Sequence, residues 1–180
     1  MPINAQILAD NLNPSFVETG TYLGEGVEAA IQAGFEHIWT VDLEDSGKWS
    51  NSNALTSHPG VVYGKGDSAL FLADLVPQIT TPVTFWLDAH PVGYFQLLQP
   101  DLPLVKELLA ISFRSRHAYD IVLIDDLRLF TPVDQTRLRE FITLLWPGCQ
   151  IETIDSSILP QDILRITNMH HTSQWTPPEQ

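Results

Sequence analysis

Three features of the sequence predict a doubly wound α/β domain on a mostly parallel sheet. Short β-like runs alternate with helix-like stretches between Pro14 and Thr167. Several of the runs are continuously apolar, as strands buried on both faces must be. The helical stretches are bounded by capping residues, glycines and prolines.

In order, the β-like runs are Phe16–Glu18, His37–Asp42, Val61–Tyr63, Val83–Asp88, Ile121–Asp125, Gln150–Ile154 and Ile163–Thr167. The first crossover carries Val27, Ala30 and Ile31 at i, i+3 and i+4, with Gly34 placed for a C-terminal cap. Asp67-Ser68 can cap a helix over Ala69–Val76, which Pro77 ends. Leu104, Val105, Leu108 and Leu109 form one apolar face of a helix from Asp101 to Ser112. Thr131-Pro132 reads as N-cap and N1 ahead of Leu138, Phe141, Ile142 and Leu145, with Pro147-Gly148 as the stop. Only Asp155–Asp162 separates the last two runs, too little for a helical crossover, so they are expected to pair antiparallel.

The chain has 180 residues, 22 Asp+Glu against 9 Lys+Arg, and a net charge of −13. That length fits one domain, expected over residues 1–170, with a polar, Pro-rich tail at 171–180 expected to fray. The negative charge argues against nucleic acid as a partner, since phosphate binding needs a basic footprint. It argues equally against an anionic membrane surface. No apolar run approaches a membrane span, and the opening MPINAQILAD has no basic region or long apolar run of a secretory signal. Cys149 is the single cysteine, so neither a disulfide framework nor a Cys-based zinc site is expected. These exclusions leave a cytoplasmic protein that acts on a small molecule.

In open α/β sheets ligands bind beyond the carboxyl ends of the strands. Those ends are acidic here: Glu18, Asp42, Asp67, Asp88 and the pair Asp125-Asp126. The first opens the stretch Phe16-Val17-Glu18-Thr19-Gly20-Thr21-Tyr22-Leu23-Gly24-Glu25-Gly26, a strand, a glycine loop and a helix start. Gly20 allows a sharp turn and close approach of backbone to ligand, and the following helix presents free N–H groups. The dinucleotide fingerprint G-x-G-x-x-G is not matched. The form E-x-G-x-x-x-G-x-G resembles motif I of class I S-adenosylmethionine-dependent methyltransferases.

The resemblance spans Phe16 to Phe130 and implies a Rossmann-like methyltransferase sheet, mostly parallel with an antiparallel last strand pair. It implies S-adenosylmethionine as cofactor, bound at the loop by Glu18, Gly20, Thr21, Gly24 and Gly26. Asp42 would take the ribose hydroxyls, a role shared with nicotinamide binders, and Asp67 with Ser68 would lie near the adenine. Two plainer readings stand beside these: a simple βα turn with glycines, and Asp67 as an N-cap alone.

A second constellation joins Asp88-Ala89-His90 after the fourth run to Asp125-Asp126 after the fifth. Adjacent strands would set these carboxylates side by side, where like charges raise one another's pKa unless a cation neutralises them. The arrangement resembles the metal-dependent O-methyltransferases, most closely the macrocin-type enzymes, with D-x-D after strand four and Asp-Asp after strand five. Carried over, Asp88, Asp125 and Asp126 become ligands for a hard divalent ion such as Mg²⁺. His90 stands where that pattern has its second Asp. Beside Asp88, it is read as the catalytic base, because a free imidazole titrates at about 6.5. The alternatives are a His90 that only hydrogen-bonds Asp88 or starts a turn before Pro91, and an Asp125-Asp126 pair that caps the next segment without metal.

The expected function is therefore methyl transfer from S-adenosylmethionine to a hydroxyl of a small acceptor, sugar-like or other, with Mg²⁺ assistance. The rivals are a module that binds S-adenosylmethionine or a nucleoside without transfer, and a nicotinamide oxidoreductase, which the loop disfavours. Asp88-Ala89-His90-Pro91 is similar to the D-P-P-Y of nucleic-acid amino-methyltransferases, but Ala89 and His90 break that motif and the charge opposes it. Pro91–Pro100, with Gly93, Tyr94 and Phe95, is the candidate lid; otherwise a neighbouring subunit of a homo-oligomer covers the site, or it stays open to a large acceptor. Trp86 is expected in the core, Arg114, Arg116 and His117 on a solvated face, and His170-His171 without a mechanism.

Overall fold

The computed structural model describes residues 3–44, 58–90, 93, 96–114 and 118–169. Strands β1 (Ser15–Thr19), β2 (His37–Asp42), β3 (Val61–Lys65), β4 (Val83–Leu87), β5 (Ile121–Ile124), β6 (Gln150–Ile154) and β7 (Ile163–Thr167) form one sheet in the order β3-β2-β1-β4-β5-β7-β6. β1 to β5 run parallel; β7 pairs antiparallel with β5, and β6 antiparallel with β7. The expected fold class and the antiparallel last pair are both present. The chain reverses direction in strand order between β1 and β4, which is where an open sheet of this kind leaves its ligand crevice.

Successive strand residues point to opposite faces, and each face has its own core. Phe16, Ile38, Trp86 and Leu123 bury against Val27 and Ala30 of α2 (Glu25–Ala33). Val17, Phe85 and Val122 bury against Leu72 of α3 (Ser68–Leu75), Leu108 of α4 (Leu104–Ser112), and Leu138 and Ile142 of α5 (Pro132–Leu145). Trp86 is wholly buried, as expected of a strand residue.

The caps follow the sequence signals. Gly34 takes a left-handed φ of 96° and donates to Ala30 O and Ile31 O. Asp67 Oδ1 accepts from Leu70 N at 3.0 Å, and Thr131 Oγ1 accepts from Asp134 N at 3.2 Å. Three points differ from the sequence reading. α4 starts at Leu104 and not near Asp101, because Pro103 disfavours the helical region for Leu102, the residue before it. A short N-terminal helix, α1 (Ala5–Ala9), packs on α2 with Asn4 Oδ1 accepting from Ile7 N.

The third point is Arg114, which is 3% exposed and not on a solvated face. Its Nε donates to Asp120 Oδ2 at 2.6 Å, its Nη1 to Ile79 O at 2.5 Å, and its Nη2 to Thr81 O. The candidate-lid residues Pro91, Tyr94 and Phe95, together with Arg116, His117, His170, His171 and the tail, lie outside the described residues. Among the described residues no helix is long and apolar enough to cross a membrane.

Candidate functional site

The strand ladder continues past the strand ends and fixes the loops that carry the acids. Gly20 N donates to Val41 O, Asp88 N to Thr19 O, Asp125 N to Leu87 O and Gly66 N to Asp42 O. These loops border one cavity of about 910 Å³ lying across the carboxyl ends of the sheet. Gly20, Asp42, Asp67, Ser68, Asp88, His90, Asp125 and Asp126 all line it. The structure therefore brings eight of the candidate site residues to one space.

The glycine loop is tightly specified. Gly20 has φ 82°, and a Cβ there would run into the backbone oxygen of Asp88. Only glycine meets both demands, and the close approach of the two loops follows. Tyr22 also has a positive φ, 47°, and its N–H donates to Asp42 Oδ2 at 2.8 Å. Asp42 Oδ1 accepts from Glu44 N at 3.0 Å, so two backbone donors hold the carboxylate at the cavity wall. Each oxygen keeps a lone pair for a ligand hydroxyl.

Glu18, Thr21 and Gly26 lie behind the loop and do not line the cavity. Glu18 is fully buried, accepts from Thr40 Oγ1 at 2.6 Å, and sits against the first turn of α2 at Gly26. Thr21 Oγ1 meets Thr40 Oγ1 at 2.6 Å. Burial, only partly offset by the Thr40 hydroxyl, pushes Glu18 up to about 8, with the Asp88 and Asp42 charges adding to the shift. These residues shape the loop from beneath. Gly24 gives α2 its left-handed start at φ 83°.

On the β4–β5 side, His90 is the centre. Its Nε2 lies 2.8 Å from Asp88 Oδ1 and 3.1 Å from Asp126 Oδ2. Asp126 holds a left-handed φ of 56° at the start of the turn Leu127–Leu129, and Arg128 pairs with its Oδ1 at 2.6 Å. Arg128 also pairs with Asp162 at the start of β7. Asp125 Oδ1 accepts from Asp126 N at 2.7 Å, while its Oδ2 has no hydrogen-bond partner among the described residues.

The three clustered acids titrate apart. Burial lifts Asp125 to about 9, reinforced by the Asp88 and Asp126 charges. Burial also lifts Asp88, against the pull of His90. Burial acts on Asp126 in the same sense, but the hydrogen bond and charge of His90, with the Arg128 guanidinium, outweigh it and hold Asp126 below the ordinary range. At Asp126 these cations neutralise the mutual repulsion that lifts its neighbours.

The predicted metal ligands divide between two groups. Ligand atoms of Asp88, His90 and Asp126 lie within 4.8 Å of one another, as do those of Asp125, Asp126 and Asp162. Arg128 already serves the second group as its cation. The first has the chemistry of a divalent-ion site, two carboxylate oxygens and one imidazole nitrogen, and so fits such an ion.

Arg128, Asp162 and Glu107 were not singled out by sequence. Glu107 is 1% exposed on α4, and burial pushes it up to about 7 although the Ser68 and Thr19 hydroxyls pull it down. Its signal was present: with Leu104, Leu108 and Ile111 it occupies the buried helical phase.

No protein-family model and no curated protein matches the chain by sequence. Its fold is that of known methyltransferases. An rRNA methylase from Streptococcus thermophilus aligns over 92% of this chain and 94% of its own, with TM-score 0.57 and 13% identity. An O-methyltransferase from Bacillus cereus in complex with SAH aligns over 91% and 78%, with TM-score 0.61 and 12% identity. A SAH-bound methyltransferase from Podospora anserina aligns over 92% and 76%, with TM-score 0.61 and 12% identity.

Proposed function

We propose that the protein is an S-adenosylmethionine-dependent methyltransferase acting on a hydroxyl of a small acceptor. The observation that carries this reading is the joint placement of Gly20 and Asp42. A left-handed glycine turn and a carboxylate held by two backbone N–H groups border one cavity at the β1–β4 switch point. Two of the similar folds are structures with SAH, the methylated cofactor's by-product. The cofactor is a sulfonium cation, which suits an acid-rich wall where a pyrophosphate would be repelled.

One similar fold belongs to a protein described as an rRNA methylase, and its chain is matched almost end to end. A net charge of −13 and a carboxylate-lined cavity oppose a polyanionic substrate, which favours a small acceptor here.

In the reaction the acceptor oxygen attacks the sulfonium methyl in line; the new C–O bond forms as the C–S bond breaks, and S-adenosylhomocysteine leaves. The protein's share is alignment and exclusion of water. His90 accepts the hydroxyl proton. Asp88 and Asp126 lie beside its Nε2 and place the ring at the cavity wall. The carboxylates then stabilise the imidazolium that forms.

The Asp88–His90–Asp126 set favours a second version of the same chemistry. A divalent ion such as Mg²⁺ held there would polarise the acceptor hydroxyl. Nε2 cannot both carry a proton to the carboxylates and ligate a metal, so the two versions exclude each other. Activity lost in EDTA and restored by Mg²⁺ selects the metal; full turnover in EDTA selects the base alone.

Calorimetric titration tests the reading itself. The protein should bind S-adenosylhomocysteine and not a nicotinamide dinucleotide. Gly20→Val, which forces a Cβ onto the Asp88 backbone, should abolish that binding, with urea denaturation run alongside to separate loss of the loop from loss of the fold. Undiminished binding by Gly20→Val moves the cofactor elsewhere; binding without methyl transfer to any hydroxylated extract leaves a cofactor-binding module.

A further inference from the structure

The charge on the β4–β5 side of the cavity is one-sided. Asp88, Asp101, Asp125 and Asp126 line it, against Lys106 and Arg128. The Arg128 guanidinium is engaged by Asp126 and by Asp162. A single sulfonium beside Gly20 leaves most of these acids without a cation. What else enters must tolerate the remainder.

A second observation is independent of that count. Asp125 is 1% exposed, yet it borders the cavity, and its Oδ2 has no hydrogen-bond partner among the described residues. Its other oxygen is already satisfied by Asp126 N. A buried carboxyl oxygen without a partner is costly in either protonation state, and a ligand that brings a donor removes the cost. A charged N–H donor removes most, because charge-assisted hydrogen bonds are the stronger kind.

We propose that the acceptor is a small amino alcohol whose protonated amine donates to Asp125 Oδ2 while its hydroxyl is the group methylated. The proposal rests on the methyl-transfer reading and narrows its substrate class. An ammonium has no lone pair, so it cannot attack the sulfonium. Negative surroundings hold an amine in that protonated form. The carboxylates that bind the amine therefore also direct the methyl group to oxygen. The hydroxyl proton leaves to His90 as the C–O bond forms and the C–S bond breaks, and the amine keeps its own proton throughout. Acceptors bearing phosphate or carboxylate meet like charge and bind worst.

The test is calorimetry on protein loaded with S-adenosylhomocysteine, in EDTA so that no metal competes for the carboxylates. Three probes share one ring: trans-2-aminocyclohexanol, cyclohexane-1,2-diol and 2-hydroxycyclohexanecarboxylate. The amine should bind roughly tenfold to hundredfold more tightly than the diol, and the carboxylate most weakly. Asp125→Asn should erase the amine's advantage. Asp101→Lys, at an exposed position where folding is not at stake, should reduce it. No detectable binding of the amine, a diol that binds as tightly, or an advantage unchanged in either variant overturns the proposal. Failure of wild-type protein to take S-adenosylhomocysteine overturns the methyl-transfer reading instead.

Discussion

β5 begins beside Arg114 and Asp120 and ends at Asp125, and the two ends treat buried charge in opposite ways. At the amino end Arg114 is 3% exposed, its guanidinium donates to Asp120 and to backbone carbonyls of Ile79 and Thr81, and Asp120 Oδ1 accepts from Val83 N. Charge and hydrogen bonds close on themselves. At the carboxyl end Glu18, Glu107 and Asp125 are buried with oxygens that have no hydrogen-bond partner among the described residues. One end is built to hold strands together. The other keeps acids with unpartnered oxygens, and of these Asp125 borders the cavity, where a ligand can meet it.

The sharpest way to break this contrast is at the closed end. Arg114→Met should cost about 3–5 kcal/mol, since it strands a buried carboxylate and removes donors from the Ile79 and Thr81 carbonyls. Urea denaturation measures the cost. The folded fraction should still bind S-adenosylhomocysteine with wild-type affinity; a loss below about 1 kcal/mol would remove the amino end's structural role.

At the open end the expected pattern inverts. His90→Ala should lower turnover by roughly 10²–10⁴-fold with little change in melting temperature. Equal losses of stability and rate would make His90 part of the framework. Asp42→Ala should weaken S-adenosylhomocysteine roughly tenfold to hundredfold, the effect of losing charge-assisted hydrogen bonds. Titration at constant ionic strength reads it directly, and unchanged affinity would detach Asp42 from the cofactor.

The smallest effect sharpens the comparison through pH. Glu18 at about 8 and Glu107 at about 7 bind protons more tightly folded than unfolded, where each titrates near 4.5. Across the interval from about 4.5 to 8 the folded state carries these extra protons, so stability falls as pH rises, and with Asp125 at about 9 the fall continues beyond Glu18's pKa. Melting temperatures at pH 5, 6, 7 and 8 should decline accordingly. Glu18→Gln, neutral at every pH, should flatten the decline; an equally steep curve in that variant assigns it to other groups.

Much of the fold was legible because it is written locally. The bounds of β2, β6 and β7 coincide with the apolar, β-branched runs that announce them. Thr131-Pro132 and Asp67 cap the helices their types favour. The gathering of Gly20, Asp42, Asp88 and Asp125 at one sheet edge followed from strand order alone. What escaped is tertiary. Arg114 reads as a surface charge in a connection, and only the carbonyls of Ile79 and Thr81, far back in the chain, make its burial sensible. Arg128 and Asp162 meet across the β5–β7 pairing, a contact no local pattern records. α1 is too short for periodicity to speak.

Beneath the glycine loop, a Cβ on Gly26 would fall on Glu18 Oε1. Residues 18 and 26 thus share one volume, and the consequence is epistasis. In a library randomised at both positions and selected for folded protein, Ala at 26 should be recovered only beside a residue shorter than Glu at 18, with Asp the natural partner. Gly26→Ala alone should drop out of the pool. Evolution can cross that ground only in pairs of steps, shortening the acid before the helix gains its methyl group.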